Sequence, residues 1–174
     1  MKKLLFILIF ITTTCIGQVN PEKKLRTNSV ERYVKSVDNL TLEASYELTK
    51  RASETANSLG KKVTITILDA SGNILMTTRG ENVGPHNTEA SRRKAFTALS
   101  TKTATLALLR NAKSNPDTQN LNTLPELLLL SGGAPVWYNG NVIGSIGIAG
   151  GGSAENDDLI AKSASISELG ITVK

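Results

Sequence analysis

The sequence predicts a single α+β domain, with one mainly antiparallel sheet and helices packed on it. Three observations support this. Alternating apolar runs pair across short turns at residues 62–78 and again at 134–148. Apolar residues at helical spacing flank both pairs. The 174 residues fit one domain with a core that needs no disulfide staples.

The first helix is predicted from about Leu40 to Leu59, where Leu40, Ala44, Leu48, Ala52, Ala56 and Leu59 share a stripe and Gly60 is placed to stop it. Val63, Ile65 and Ile67 alternate with Thr64 and Thr66, the pattern of a half-buried strand over 62–68. Asp69-Ala70-Ser71-Gly72 turns the chain into a second strand at 73–78. After a loop, Asn87 or Thr88 is positioned to cap a helix that ends near Leu99 and buries Ala90, Ser91, Ala95, Ala98 and Leu99. A shorter helix over 102–111 is expected to bury Leu106 and Leu109, and 114–125 reads as a long polar loop. Three strands are expected next, at 126–130, 134–138 and 141–148, the last two joined by Asn139-Gly140, a strong hairpin signal. A final helix is expected over 154–169, with Glu155, Asp157 and Asp158 at its positive end.

Ahead of the domain, residues 18–38 read as a polar arm, and 1–17 as a signal peptide in which Lys2-Lys3 precedes an apolar stretch from Leu4 to Ile11. That stretch is too short to be a transmembrane segment. Cleavage before Gln18 is the expected ending, with a lipid anchor at Cys15 as the alternative. The expected location is therefore periplasmic or secreted. Cys15 is the only cysteine, so neither an internal disulfide nor a cysteine zinc site is available.

The net charge of +5 falls to about +3 once the leader lysines are removed. The cations are dispersed and aromatic residues make up only 4% of the chain, so no nucleic-acid partner is expected.

The only histidine, His86, stands beside a helix start, with Arg92, Arg93 and Lys94 within two turns. Imidazole is the commonest metal ligand, and the cations suit an anionic, metal-containing ligand. An ordinary solvated loop histidine next to a charged helix is the plainer reading. Heme needs one axial donor, an apolar slot and cations for its propionates. His86 is the best donor, ahead of Tyr46, Tyr138 and Met76, and Arg79, Arg92, Arg93 and Lys94 are candidate carboxylate partners.

The glycines of Gly144 to Gly152 match neither phosphate-loop pattern, and the acidic helix start after them would repel a phosphate. Gly147 within a strand marks close approach, either of a ligand or of a helix. No nucleophile elbow supports a hydrolase triad.

Taken in order, several motifs resemble the GlcG/HbpS-type family, whose members are often described as heme-binding or heme-degrading. They are Asp69-Ala70-Ser71-Gly72, Arg79, the helix Ala90 to Ala98, Gly132-Gly133-Ala134-Pro135, Gly140 to Gly147, Gly150-Gly151-Gly152 and Asp157. The match covers about residues 40–165. The resemblance implies a profilin-like, GlcG/HbpS-like domain over 39–174, a central five-stranded sheet flanked by helices, homo-oligomers, and heme or a related tetrapyrrole as ligand. His86 would then be the metal ligand, with Arg79, Arg92, Arg93, Lys94 and Gly147 around the cofactor. Two other readings remain: an enzyme acting on a small anionic organic molecule, with His86 as acid or base, and an oligomeric assembly or sensory partner domain. The basic segment around His86 and the insert at 115–125 depart from the family pattern.

Overall fold

The computed structural model describes residues 31–174. The predicted leader and Cys15 lie outside the described residues, as does most of the predicted arm. The chain divides between Ser36 and Val37, and the domain is the second unit. Residues 34–40 carry no helix or strand. No helix among the described residues is long and apolar enough to cross a membrane.

Helix α1 spans Leu42–Ser58, and the Thr41 hydroxyl caps it by accepting from the Ala44 amide. Strands β1 (Thr64–Asp69) and β2 (Ile74–Arg79) form the first hairpin. Helix α2 (His86–Thr101) follows, then α3 (Thr105–Ala112) and the one-turn α4 (Pro116–Gln119). Strands β3 (Gly133–Tyr138) and β4 (Asn141–Ala149) form the second hairpin. Asn139 and Gly140 both take positive φ at its turn, as two-residue hairpins require. Helix α5 (Ala154–Ser163) leads into a short β5 (Thr172–Val173).

The five strands make one antiparallel sheet in the order β2-β1-β4-β3-β5. One face carries Ile65, Ile67, Ile146, Ile148 and Val136, which pack with Leu48, Ala52 and Ala56 of α1 and Ile160 and Ala161 of α5. Helix α2 covers the other face.

Five expectations need correction. Strand β1 is buried on both sides, since Thr64 and Thr66 are fully covered by α2. The run 126–130 is not a strand: Leu127 and Leu129 instead form a second apolar cluster with Leu108, against Phe96. The fifth strand is β5, because the last helix ends at Ser163 rather than near Leu169. The polar loop 114–125 contains α4 and a 3-10 turn at Asn120–Thr123, and α3 buries Leu108 rather than Leu106 or Leu109.

Candidate functional site

Apart from Tyr46, which lies on α1, the candidate residues lie on α2 or on the sheet, with Met76 and Arg79 on β2, Tyr138 on β3 and Gly147 on β4. The helix begins one residue after Pro85, so His86 is its first residue rather than part of a loop. Neither Asn87 nor Thr88 caps it. The Asn87 side chain instead donates to the Gly84 carbonyl at 3.1 Å, holding the turn that precedes the helix. Ser91, Lys94, Ala95, Thr97 and Ala98 form the buried face.

That face lies very close to the sheet because glycines receive it. A methyl group at Gly147 would overlap the Ser91 carbonyl oxygen, and one at Gly133 would overlap that of Lys94. Gly147 therefore serves the helix approach, the second of the two roles its position allowed. Hydroxyls replace apolar contacts in the gap. Thr66 bonds to Ser91 at 2.7 Å and to Thr77 at 3.1 Å. Thr105 accepts from the Gly133 amide at 2.8 Å. Thr66 is thus buried with its hydroxyl paired, whereas the Thr64 Oγ1 is buried without a partner.

The cations have separate placements. Lys94 points inward: its ammonium donates to Asp157 Oδ2 and to the Ile148 carbonyl, both at 2.8 Å. The two side chains are 6% and 11% exposed, so this is a buried ion pair. The other Asp157 oxygen accepts from the Gly151 amide at 2.8 Å. Lys94 is thus not on the exposed surface that carries His86 and Arg79.

Arg92 is half-buried and bridges Glu89 and Glu126, each at 2.7 Å. Its hydrogen bond to Glu89 is the main cause that raises its pKa, and the same bond holds the Glu89 carboxyl below the usual range. Arg93 donates to the Leu127 carbonyl at 2.7 Å, while its Nε is buried without a partner. Arg79 donates to the Val83 carbonyl at 3.1 Å, three residues before His86. It also lines a cavity of about 210 Å³ with Lys61, Lys62 and Asn57.

Arg79 thus bonds to the loop that precedes α2, His86 begins that helix, and Arg92, Arg93 and Lys94 fasten the rest of it. Among the described residues no group of three histidine, cysteine or acidic side chains could hold a metal ion. The i, i+3 spacing of Glu89 and Arg92 was legible in the sequence. Glu126 and Asp157 as partners were not, since they lie 34 and 63 residues from the cations they meet.

Comparison with known proteins accords with this architecture. The family model described as haem degrading protein HbpS-like matches residues 40–165. A double mutant of Streptomyces reticuli HbpS superposes with a TM-score of 0.70 at 34% identity, covering 75% of this chain and 88% of that one. A PduOC:heme complex superposes with a TM-score of 0.68 at 30% identity, covering 76% and 96%. Corrinoid adenosyltransferase PduO of Salmonella typhimurium is 33% identical over 121 residues, 68% of this chain but 36% of that protein. The chain thus spans about a third of the length of that relative. With the family match running through both helical layers and four of the five strands, the chain belongs to the HbpS-like family.

Proposed function

We propose that this protein is exported and binds heme, with His86 as the side chain that would ligate the iron. The observation that carries the reading is the solved heme complex of a relative that shares this fold over three quarters of the chain. The placement of His86 supports it. The imidazole is the only one in the chain, is exposed, and sits on the first turn of α2. A neutral imidazole nitrogen is an ordinary iron donor.

Arg79 is the cation placed to pair with a propionate, since it reaches the chain three residues before His86. Arg92 and Arg93 would join by exchanging existing partners, a bidentate guanidinium being well suited to a carboxylate. Lys94 and Gly147 act beneath the site by seating α2 on the sheet. Heme itself would supply the redox and ligand-binding chemistry, and these residues would bind and orient it. The leader-like start, Lys2-Lys3 followed by the apolar stretch Leu4 to Ile11, supports a periplasmic or secreted location.

The test is a titration of the exported protein with hemin, followed by the Soret band. The wild type should give a saturable shift, and His86→Ala should weaken binding by roughly tenfold or more and change the ligand spectrum. The intact mass of the same preparation reports whether it begins at Gln18 or carries an acylated Cys15. An unchanged spectrum in His86→Ala removes this histidine from the iron.

A further inference from the structure

A small polar cavity lies at the C-terminal end of α1, where that helix, the loop ahead of β1 and the end of β2 meet. Its volume is about 210 Å³. Pockets for drug-sized ligands begin at about 300 Å³, so this one takes a molecule of a few carbons and is too small for a tetrapyrrole. Three cations line it, Lys61, Lys62 and Arg79, against one acid, Glu81.

Main-chain bonds fix the walls. At the end of α1, Gly60 takes a positive φ, its amide donates to the Asn57 carbonyl at 2.9 Å, and the Lys61 amide donates to the Ala56 carbonyl at 2.8 Å. The Gly80 amide donates to the Val63 carbonyl at 3.0 Å, which ties the end of β2 to the loop that carries the lysines. The missing side chain permits that approach, since a Cβ at Gly80 would stand 3.2 Å from the Lys62 Cβ. Lys61 and Arg79 therefore reach the cavity from two walls that an occupant need not order.

The donors in this cavity outnumber their acceptors. Elsewhere the chain pairs its covered cations: Arg51 with Glu168, Arg92 with Glu89 and Glu126, and Lys94 with Asp157. Lys61, Lys62 and Arg79 make no ion pair among the described residues. Lys62 gives one of its three hydrogens to Asn57 Oδ1 at 3.1 Å. Arg79 uses only Nη1, on the Val83 carbonyl, and its Nε and Nη2 have no partner among the described residues. Those two nitrogens form the edge with which Arg92 grips Glu89 through paired bonds of 2.9 and 2.7 Å. The helix dipole accounts for lysines at the end of α1, but not for an arginine arriving from β2.

We propose that this cavity binds a small organic dicarboxylate, with one carboxylate gripped by the free edge of Arg79 and the other held by the Lys61 ammonium. Cations on two walls favour a ligand charged at both ends over a single-charge acid, and the volume limits its length. A lone phosphate would leave one wall unengaged. The site requires neither His86 nor iron. Arg79 is the one residue it shares with the heme reading, so the two readings can fail separately.

Isothermal titration calorimetry of the exported protein with malonate, succinate and glutarate tests it, with acetate and phosphate as controls and circular dichroism to verify each variant's fold. One dicarboxylate of the series should bind at one site per chain, roughly tenfold or more tighter than acetate. Lys61→Met keeps the apolar stem, and Arg79→Lys keeps the charge but loses the two-bond edge. Each should weaken that binding by roughly tenfold or more. His86→Ala should leave it unchanged, and Lys61→Met should leave the hemin titration unchanged. The proposal is overturned if no dicarboxylate binds, if acetate or phosphate binds as tightly, or if binding survives both cavity variants undiminished. Loss of dicarboxylate binding in His86→Ala would also overturn it, because the ligand would then lie at the start of α2. So would loss of hemin binding in Lys61→Met, because the lysine would then belong to a propionate.

Discussion

Asp69 shows how one side chain determines a turn. It is nearly buried, and its Oδ1 accepts from the amides of Ser71 at 2.9 Å and Asn73 at 2.8 Å, while Oδ2 accepts from the Asn73 side chain at 3.0 Å. Burial pushes its pKa up, but these bonds to Asn73 and Ser71 outweigh burial and hold the carboxyl below its ordinary value. A depressed carboxyl pKa stabilises the fold above the unfolded value of about 3.9, and the contribution disappears as pH falls through the folded value. Asp69→Ala should therefore cost about 1–3 kcal/mol near neutrality. The gap between variant and wild type should close below about pH 4, as read from urea unfolding across pH. A gap that is constant with pH would mean that the neutral side chain serves the turn equally well.

At the scale of elements, the packing of α2 on β4 depends on the absence of a side chain. Gly147 faces Ser91 and Ala95 so closely that any Cβ must displace the helix. Gly147→Val should destabilise by about 1–3 kcal/mol through overpacking, or more because backbone cannot yield as a side chain would. Ser91→Gly would not relieve it, since the obstructing atom is the main-chain oxygen. Calorimetry of both variants checks this.

The same pair of elements shows what was legible in advance. The hairpins were readable from alternation and from Asn139-Gly140, and α1 from its stripe and its glycine stop. The alternating threonines of β1 suggested a wet face, and they misled because Ser91, Thr77 and Thr66 satisfy one another beneath a helix. Leu127 to Leu130 carried a strand-like composition, but a short apolar run does not reveal whether it pairs with a strand or fills a cluster. Lys94 read as a partner for a ligand carboxylate because its own acid, Asp157, lies on α5, 63 residues away. The fifth strand of only two residues, Thr172 and Val173, is too brief to leave a periodic signal.

Across the whole molecule, the two helical layers are joined as well as separated by the sheet. Helix α2 lies on one face, α5 on the other, and Lys94–Asp157 connects them around the end of β4 beside Ile148. Removing one member of a buried pair leaves an unpaired charge and typically costs about 3–5 kcal/mol. The resulting loss belongs to both layers rather than to either helix.

That connection has a consequence for how the molecule opens. Two helices locked together through one ammonium should exchange their amide hydrogens as a single cooperative unit, slower than the edge strand β2, which has a neighbour on one side only. In Asp157→Asn, protection should fall in α2 and α5 together while the amides of β2 keep their rates. If the loss is confined to α5, the two layers breathe independently and the pair is only a local cap.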